Sequence, residues 1–306
     1  MHENTLAVAR VDGGTVDLVA QQQLPERPFA TGVVDFDGDE FPDLVAAYGT
    51  ADEVGILTGS ASLDFEVGPT VPVSAGPGQI AIGDLDDDGV DDALALLEGG
   101  DEVVGILLDG KGGYETTDAL MVGETPRAAV MVDVSGNEIP DVFATGYDAE
   151  RLTFAENDGS GSLDVAGTMM VGSPFGVAAA SVDGWSGTTV AVARVLTDSL
   201  LLTTWEDGQF AELATAPVGC APKELALVDI DVDGMPELFV MAQGDAAIEL
   251  YELDPGKPGE VEKVQEFSIG GLPHEFVVAD LDGDGAEDLA AVAAESDELV
   301  VVLRDP

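Results

Sequence analysis

The residues with the clearest chemical potential are aspartates on an every-other-residue spacing. Asp35, Asp37, Asp39 and Asp43 stand at offsets 0, 2, 4 and 8 of one segment, and Asp84, Asp86, Asp88 and Asp92 repeat the frame. Asp229, Asp231, Asp233 and Glu237 keep it, as do Asp280, Asp282, Asp284 and Asp288. Asp133, Ser135, Asn137 and Asp141 form a softer copy, and a sixth begins at Asp183 but decays into Gly184-Trp185-Ser186-Gly187-Thr188. Carboxylates two residues apart in a tight loop converge on one point, and the residue at offset 6 can add its backbone carbonyl (Phe41, Val90, Ile139, Met235, Ala286). Such an all-oxygen donor set suits a hard cation, calcium above all. Without a cation the crowded charges repel one another. An EF-hand would need Glu at the twelfth loop position, where this chain has Ala46, Ala95, Val240 and Ala291, so that motif is excluded.

The loops recur at a fixed period. Their first aspartates fall at 35, 84, 133, 183, 229 and 280, at intervals of 49, 49, 50, 46 and 51 residues. A proline stands seven residues before the first Asp in five copies (Pro28, Pro77, Pro126, Pro222, Pro273), and Pro174 stands nine before in the degenerate one. Within a period the code is β throughout. In the second copy, Gln79–Gly83 leads into the loop and Ala93–Leu97 leads out; Glu102–Leu108 is a third run, ended by Asp109-Gly110-Lys111-Gly112-Gly113, and a fourth strand is expected near Thr117–Val122. Short strands between Gly- and Asp-rich turns, four per period of about 50 residues, describe an all-β, four-stranded antiparallel blade repeated as a β-propeller. Residues 1–306 read as one propeller domain. Six loops give six blades, and the strand count leaves a seventh, partial blade open. Thr5–Gly14 and Thr15–Gln23 match a third and a fourth strand, so the ring is expected to close by N-terminal strands pairing with the C-terminal blade.

These residues resemble the FG-GAP/VCBS-type repeat of integrin α-subunit propellers and their bacterial or archaeal relatives. The resemblance spans about Thr5 to Leu303 and rests on the Asp-x-Asp-x-Asp-x-x-x-Asp-Leu loop, the upstream proline and the Asp-Gly turn before the fourth strand, as at Asn157-Asp158-Gly159-Ser160-Gly161. It implies Ca2+ in each intact loop (four or five ions, mainly structural), an extracellular or cell-surface setting and a binding or adhesion role. No metal is implied for the degenerate copy.

Composition narrows the partners. The chain has 61 Asp or Glu against 10 Lys or Arg, a net charge of −51, yet is 45% hydrophobic with mean hydropathy +0.19. That apolar content excludes a disordered acidic tail, and the charge excludes nucleic acid and repels anionic membranes. One cysteine, Cys220, excludes an internal disulfide. No apolar run is long enough for a membrane span, and no signal peptide is legible, so an excised, monomeric domain of a larger secreted protein is expected. Two accounts of the excess acidity stay open: a salt-adapted surface, or further weak calcium sites.

The residue after each repeat proline is expected near one end of the blade, on the face opposite the loops: Phe29, Gly78, Arg127, Phe175, Lys223 and His274. Two of ten basic residues and one of two histidines share this position, so it is read as contributing to a protein or carbohydrate ligand site; the alternative is that its cations pair with neighbouring acids. Trp185 and Trp205 are read as packing residues. No nucleophile–base spacing is recognisable, and the function expected is a non-catalytic calcium-binding module. The alternatives are a polysaccharide-active, lyase-like enzyme drawing on Arg127, Lys223, His274, Tyr48 or Tyr147, and a lectin.

Overall fold

A computed structural model describes residues 4–12, 14–293, 296 and 298–304. The fold class is the expected one: all-β, a β-propeller of six antiparallel blades, with one 3-10 turn at Gln243–Asp245 as the helical element among the described residues. None of these residues forms a helix long and apolar enough to cross a membrane.

Contacts divide the chain into two compact units. In the first, β1 (Thr5–Asp12) and β2 (Thr15–Gln23) form a hairpin, though residues 11–16 of it group with the second unit. Three sheets follow: β3 (Thr31–Val34), β4 (Asp43–Tyr48), β5 (Glu53–Thr58) and β6 (Glu66–Pro72); then β7 (Pro77–Gly83), β8 (Asp92–Leu97) and β9 (Glu102–Leu108), with β10 (Tyr114–Thr116) and β11 (Leu120–Met121) both on β9; then β12 (Pro126–Val132), β13 (Asp141–Gly146), β14 (Arg151–Asn157) and β15 (Leu163–Met170). The second unit holds β16 (Pro174–Ser181), β17 (Thr188–Arg194), β18 (Ser199–Glu206) and β19 (Gln209–Pro217); β20 (Pro222–Val228), β21 (Glu237–Ala242), β22 (Ala247–Leu253) and β23 (Val261–Ser268); and β24 (Pro273–Ala279), β25 (Asp288–Ala293) and β26 (Glu298–Val302).

One detail differs from expectation. The fourth strand of the second blade is split in two, because the Thr117 side chain accepts the Gly105 N–H at 2.9 Å and interrupts the ladder. Among the described residues, the hydrogen bonds of β1–β2 run within the hairpin and the sheet β24–β25–β26 has three strands.

Middle strands read as unbroken apolar runs because both their faces are covered. Every residue of β8, β13 and β21 is buried, whereas β15 and β23 have no buried residue and reach solvent. In the first unit, one core joins Val45, Val54 and Ile56 of one blade to Ala93, Ala95 and Ile106 of the next. In the second, Leu200 and Leu202 meet Leu238, Val240 and Leu253 in the same way. The first strands β7, β12, β20 and β24 thus begin at a repeat proline and end at an acidic loop, while β16 runs from Pro174 to the degenerate loop and β3 begins at Thr31, after Pro28.

Candidate functional site

Four of the six loops gather three acids each, with ligand oxygens within 4.8 Å of one another: Asp35, Asp37 and Asp39; Asp84, Asp86 and Asp92; Asp229, Asp231 and Glu237; Asp280, Asp282 and Asp288. The loop backbone aims them. In the first loop, Asp35 accepts the N–H groups of Gly38 and Glu40, at 2.9 and 3.2 Å, while Gly38 turns through a positive φ of 75°. The offset-4 side chain receives the N–H of the offset-6 residue in every intact copy: Phe41 on Asp39, Val90 on Asp88, Met235 on Asp233 and Ala286 on Asp284.

The offset-8 acid has a second task that its position in the sequence does not announce. Asp92 is fully buried and accepts Leu85 N–H at 2.8 Å on one oxygen and Leu108 N–H at 2.7 Å on the other. It therefore ties the loop, the start of β8 and the end of β9 together. Asp43 does the same for Phe36 and Gly59, Asp141 for Val134 and Asn157, and Asp288 for Leu281 and Arg304. Glu237 receives Ile230 N–H at 2.9 Å.

Electrostatics separate the loops. Burial, then the charges of neighbouring loop acids, pushes up the carboxyls of Asp37, Asp86 and Asp282. Burial pushes Asp92 up to about 6 even against its two backbone donors. Asp86 also keeps one buried oxygen, Oδ1, with no hydrogen-bond partner. These are the marks of a carboxylate group that a cation would neutralise, and the all-oxygen donor set fits a hard divalent ion such as calcium. In the Asp133 loop the balance reverses. Burial opposes it, but the N–H groups of Glu138, Gly136 and Asn137 hold Asp133 below the usual carboxylate range. With Ser135 and Asn137 at offsets 2 and 4, and Ile139 N–H bonded to Asn137, backbone donors satisfy this loop, although Asp133, Asp141 and the Ile139 carbonyl remain available as donors.

The degenerate copy solves the same problem with carbon. It reaches its strand at Thr188, three residues sooner than its relatives, and Trp185 fills the space. The indole is 8% exposed, packs with Val182, Tyr251 and Leu253, and donates to the Asp254 carbonyl at 2.9 Å. Trp205 is likewise a packing residue, edge-on to Phe210 with centroids 4.8 Å apart.

At the other end of the first strands, the repeat proline is followed by a register irregularity in β7, β12, β16, β20 and β24. A bulge re-aims side chains, and Arg127, Phe175, Lys223 and His274 fall at these irregularities, whereas Phe29 precedes β3, whose pairing with β4 is regular. Arg127 bridges Glu98 at 3.0 Å and lies 5.9 Å from the Tyr147 ring. A Cβ on Gly78 would collide with that same Glu98. Lys223 lies 5.0 Å from the Phe175 ring centre, and Phe29, 47% exposed, takes Arg27 at 5.6 Å. His274 is exposed beside Glu275. Arg127 thus has the acidic partner that the alternative reading foresaw. The sequence reading passed over Glu224 and Glu275, each two residues after a repeat proline. Burial raises both carboxyls; for Glu224 the charge of Glu275 adds to it, reaching about 8.

The fold is that of a β-propeller, and one stretch of the chain matches a known repeat. A family model of the FG-GAP-like repeat matches residues 229–291, from the fifth loop into β25. No curated protein matches the chain. Among solved structures, the chain is similar to a putative 6-phosphogluconolactonase from Bacteroides uniformis, with a TM-score of 0.71 and 16% identity over 95% of this chain and 85% of that one. It is also similar to the periplasmic gluconolactonase PpgL of Pseudomonas aeruginosa, at 0.68 and 15%, covering 99% and 92%. A functionally unknown protein from Desulfotomaculum acetoxidans matches at 0.69 and 12%, covering 98% and 92%. At these identities the likeness shows the fold.

The comparison corrects one expectation. Propellers of this fold include proteins named as gluconolactonases, so the non-catalytic assignment does not hold. It rested on the lack of a nucleophile–base spacing along the chain. A propeller can instead assemble a site from first strands about 50 residues apart, where no short spacing can reveal it.

Proposed function

We propose that this chain is a calcium-stabilised propeller scaffold that presents a ligand site for a carbohydrate-class molecule or a protein at the bulged ends of its first strands. The observation carrying the calcium half is the set of four three-acid clusters, with the unpartnered Asp86 Oδ1 inside one of them. Bound calcium would supply charge neutralisation; the loop acids would hold it, and the offset-8 acids would pass that order to two strands. Affinities from micromolar to millimolar suit such loops, and the weak end fits an extracellular setting. Metal stoichiometry measured beside thermal unfolding in EDTA and in millimolar calcium tests this reading. Four bound ions and a calcium-specific rise in midpoint support it. A midpoint that responds to NaCl alone sinks it.

A second reading is favoured by the likeness to proteins named gluconolactonases, together with Glu224, His274 and Glu275 at the bulged starts of β20 and β24. In this reading the same bulged ends hydrolyse a sugar lactone. Lactone turnover by the purified chain distinguishes it from binding alone.

A further inference from the structure

The sheet β24–β25–β26 is apolar on both faces. On one face, Phe276, Leu289, Ala291, Ala293 and Val300 pack against Phe239, Met241 and Ile248 of the blade before it. The other face carries Val277, Val292 and Leu299, which are 50, 46 and 47% exposed. Their registers gather them into one patch. Val277 pairs with Ala290 and Ala290 with Val301, while Val292 pairs with Leu299. Residues directly opposite on neighbouring strands, and residues two apart on one strand, share a face.

The preceding blade shows what such a face is built for. Counted from Asp229 and from Asp280, Ala226, Phe239 and Met241 stand where Val277, Ala290 and Val292 stand one repeat later. Across the same ladders, Leu250 and Ile248 answer to Val301 and Leu299. All five residues of the earlier blade lie in the core that it shares with the last one. The last blade therefore shows to solvent a face whose counterpart is core. Its middle strand, β25, is an apolar run of the kind that suits cover on both sides.

Charge limits what can cover this face. In its two cross-strand rows, Glu275–Val292–Leu299 and Val277–Ala290–Val301, Glu275 is the one ionisable residue, although the chain as a whole carries −51. A basic partner is drawn to the acids elsewhere and gains nothing from an uncharged sheet. The cover must itself be flat, apolar and uncharged, and this patch is such a surface. We propose that two copies of the chain associate through the β24–β25–β26 face, sheet on sheet about a twofold axis. Val277, Val292 and Leu299 of each copy then cover those of the other. Away from the patch two chains of −51 repel one another, so salt strengthens the association by screening.

The test is sedimentation equilibrium of the full chain in millimolar calcium, over a range of concentrations, at low and at molar NaCl. A reversible monomer–dimer equilibrium that tightens with NaCl is expected. Val292→Asp combined with Leu299→Asp sets charge against charge across the patch and should weaken dimerisation by about 10–10²-fold. Both side chains are about half exposed, so the thermal midpoint of the monomer should hardly move. Val292→Thr with Leu299→Thr, a milder change in the same direction, carries the test if the aspartates prevent folding. Leu196→Asp, in the turn after β17 and 72% exposed, should leave the equilibrium unchanged. A chain that stays monomeric at every concentration and salt overturns the proposal and leaves the face to a different partner. A dimer that survives both double variants, or that Leu196→Asp breaks instead, uses another surface and overturns it as well. Dimerisation that weakens as NaCl rises points to an ionic contact and overturns the apolar one.

Discussion

The indole N–H of Trp185 donates to the carbonyl of Asp254, 69 residues away, at 2.9 Å. It joins the one loop that lacks the acidic frame to the turn after β22 in the next blade. The acidic loops make the equivalent reach through their own carbonyls: Phe36 receives Gly112 N–H at 3.0 Å, Leu85 receives Gly161 N–H at 3.0 Å, and Ile230 receives Arg304. In the degenerate copy the direction of the bond is reversed and a ring takes the place of the carboxylates.

Trp185→Ala is expected to cost about 3–5 kcal/mol, the range for emptying a buried aromatic site. The loss should be the same in EDTA and in calcium, because no ion belongs to that loop. Denaturant unfolding under both conditions checks this, and a loss confined to one of them contradicts the plug role.

Replacing Asp84 and Asp86 together by Asn should lower the bound calcium by one ion and shrink the calcium-dependent rise in midpoint. The matching change of Asp133 to Asn should leave the calcium-dependent rise nearly unchanged, because Glu138, Gly136 and Asn137 already satisfy that carboxylate. Equilibrium dialysis with calorimetry separates the two variants.

Asp92→Ala should destabilise the chain even in EDTA. It strands the buried N–H groups of Leu85 and Leu108, a cost of about 2–4 kcal/mol for the two. If the loss appears only when calcium is present, Asp92 is a metal ligand alone and the fastening of β8 to β9 has no separate weight.

The Glu224 carboxyl gives a pH dependence whose sign follows from its raised value. Its ordinary value is 4.5 and burial, with Glu275, lifts it to about 8 in the folded chain. Folding therefore disfavours the ionised form. The stability it contributes is complete below about pH 4.5 and is lost as pH rises through about 8. Between pH 6 and 9 the unaltered chain should lose more stability than Glu224→Gln, as read from urea midpoints at each pH. Equal losses would show that Glu224 ionises freely.

The architecture was legible because each blade restates it. One period gives an ambiguous strand pattern, but five prolines at one offset and four intact acidic frames admit a single period and hence a propeller. The acidic clusters were legible for the same reason, since their oxygens come from one short stretch of chain. The twofold work of Asp92 and its counterparts was hidden, because half of it is done on N–H groups 16 residues away, across a hairpin. Glu224 and Glu275 were hidden more deeply. They differ from an exposed turn glutamate only through strands folded beside them, and the proline offset that located Lys223 and His274 was read one residue too short. Thr117 shows a local limit of the same kind: a strand-forming residue whose hydroxyl binds the backbone and breaks the strand it was expected to start.

The carbonyl of Phe36 links events in separate blades. On the calcium reading proposed above, filling the loop at Asp35 would order the residues that hold this carbonyl, and the carbonyl anchors Gly112 in the turn of the blade that carries the Asp84 loop. Leu85 hands the same constraint on to Gly161. On that reading occupancy would propagate from neighbour to neighbour, as in a one-dimensional array. Titration of the first blades should show each ion easing the arrival of the next, until the run meets the Asp133 loop, which is already satisfied by its own backbone.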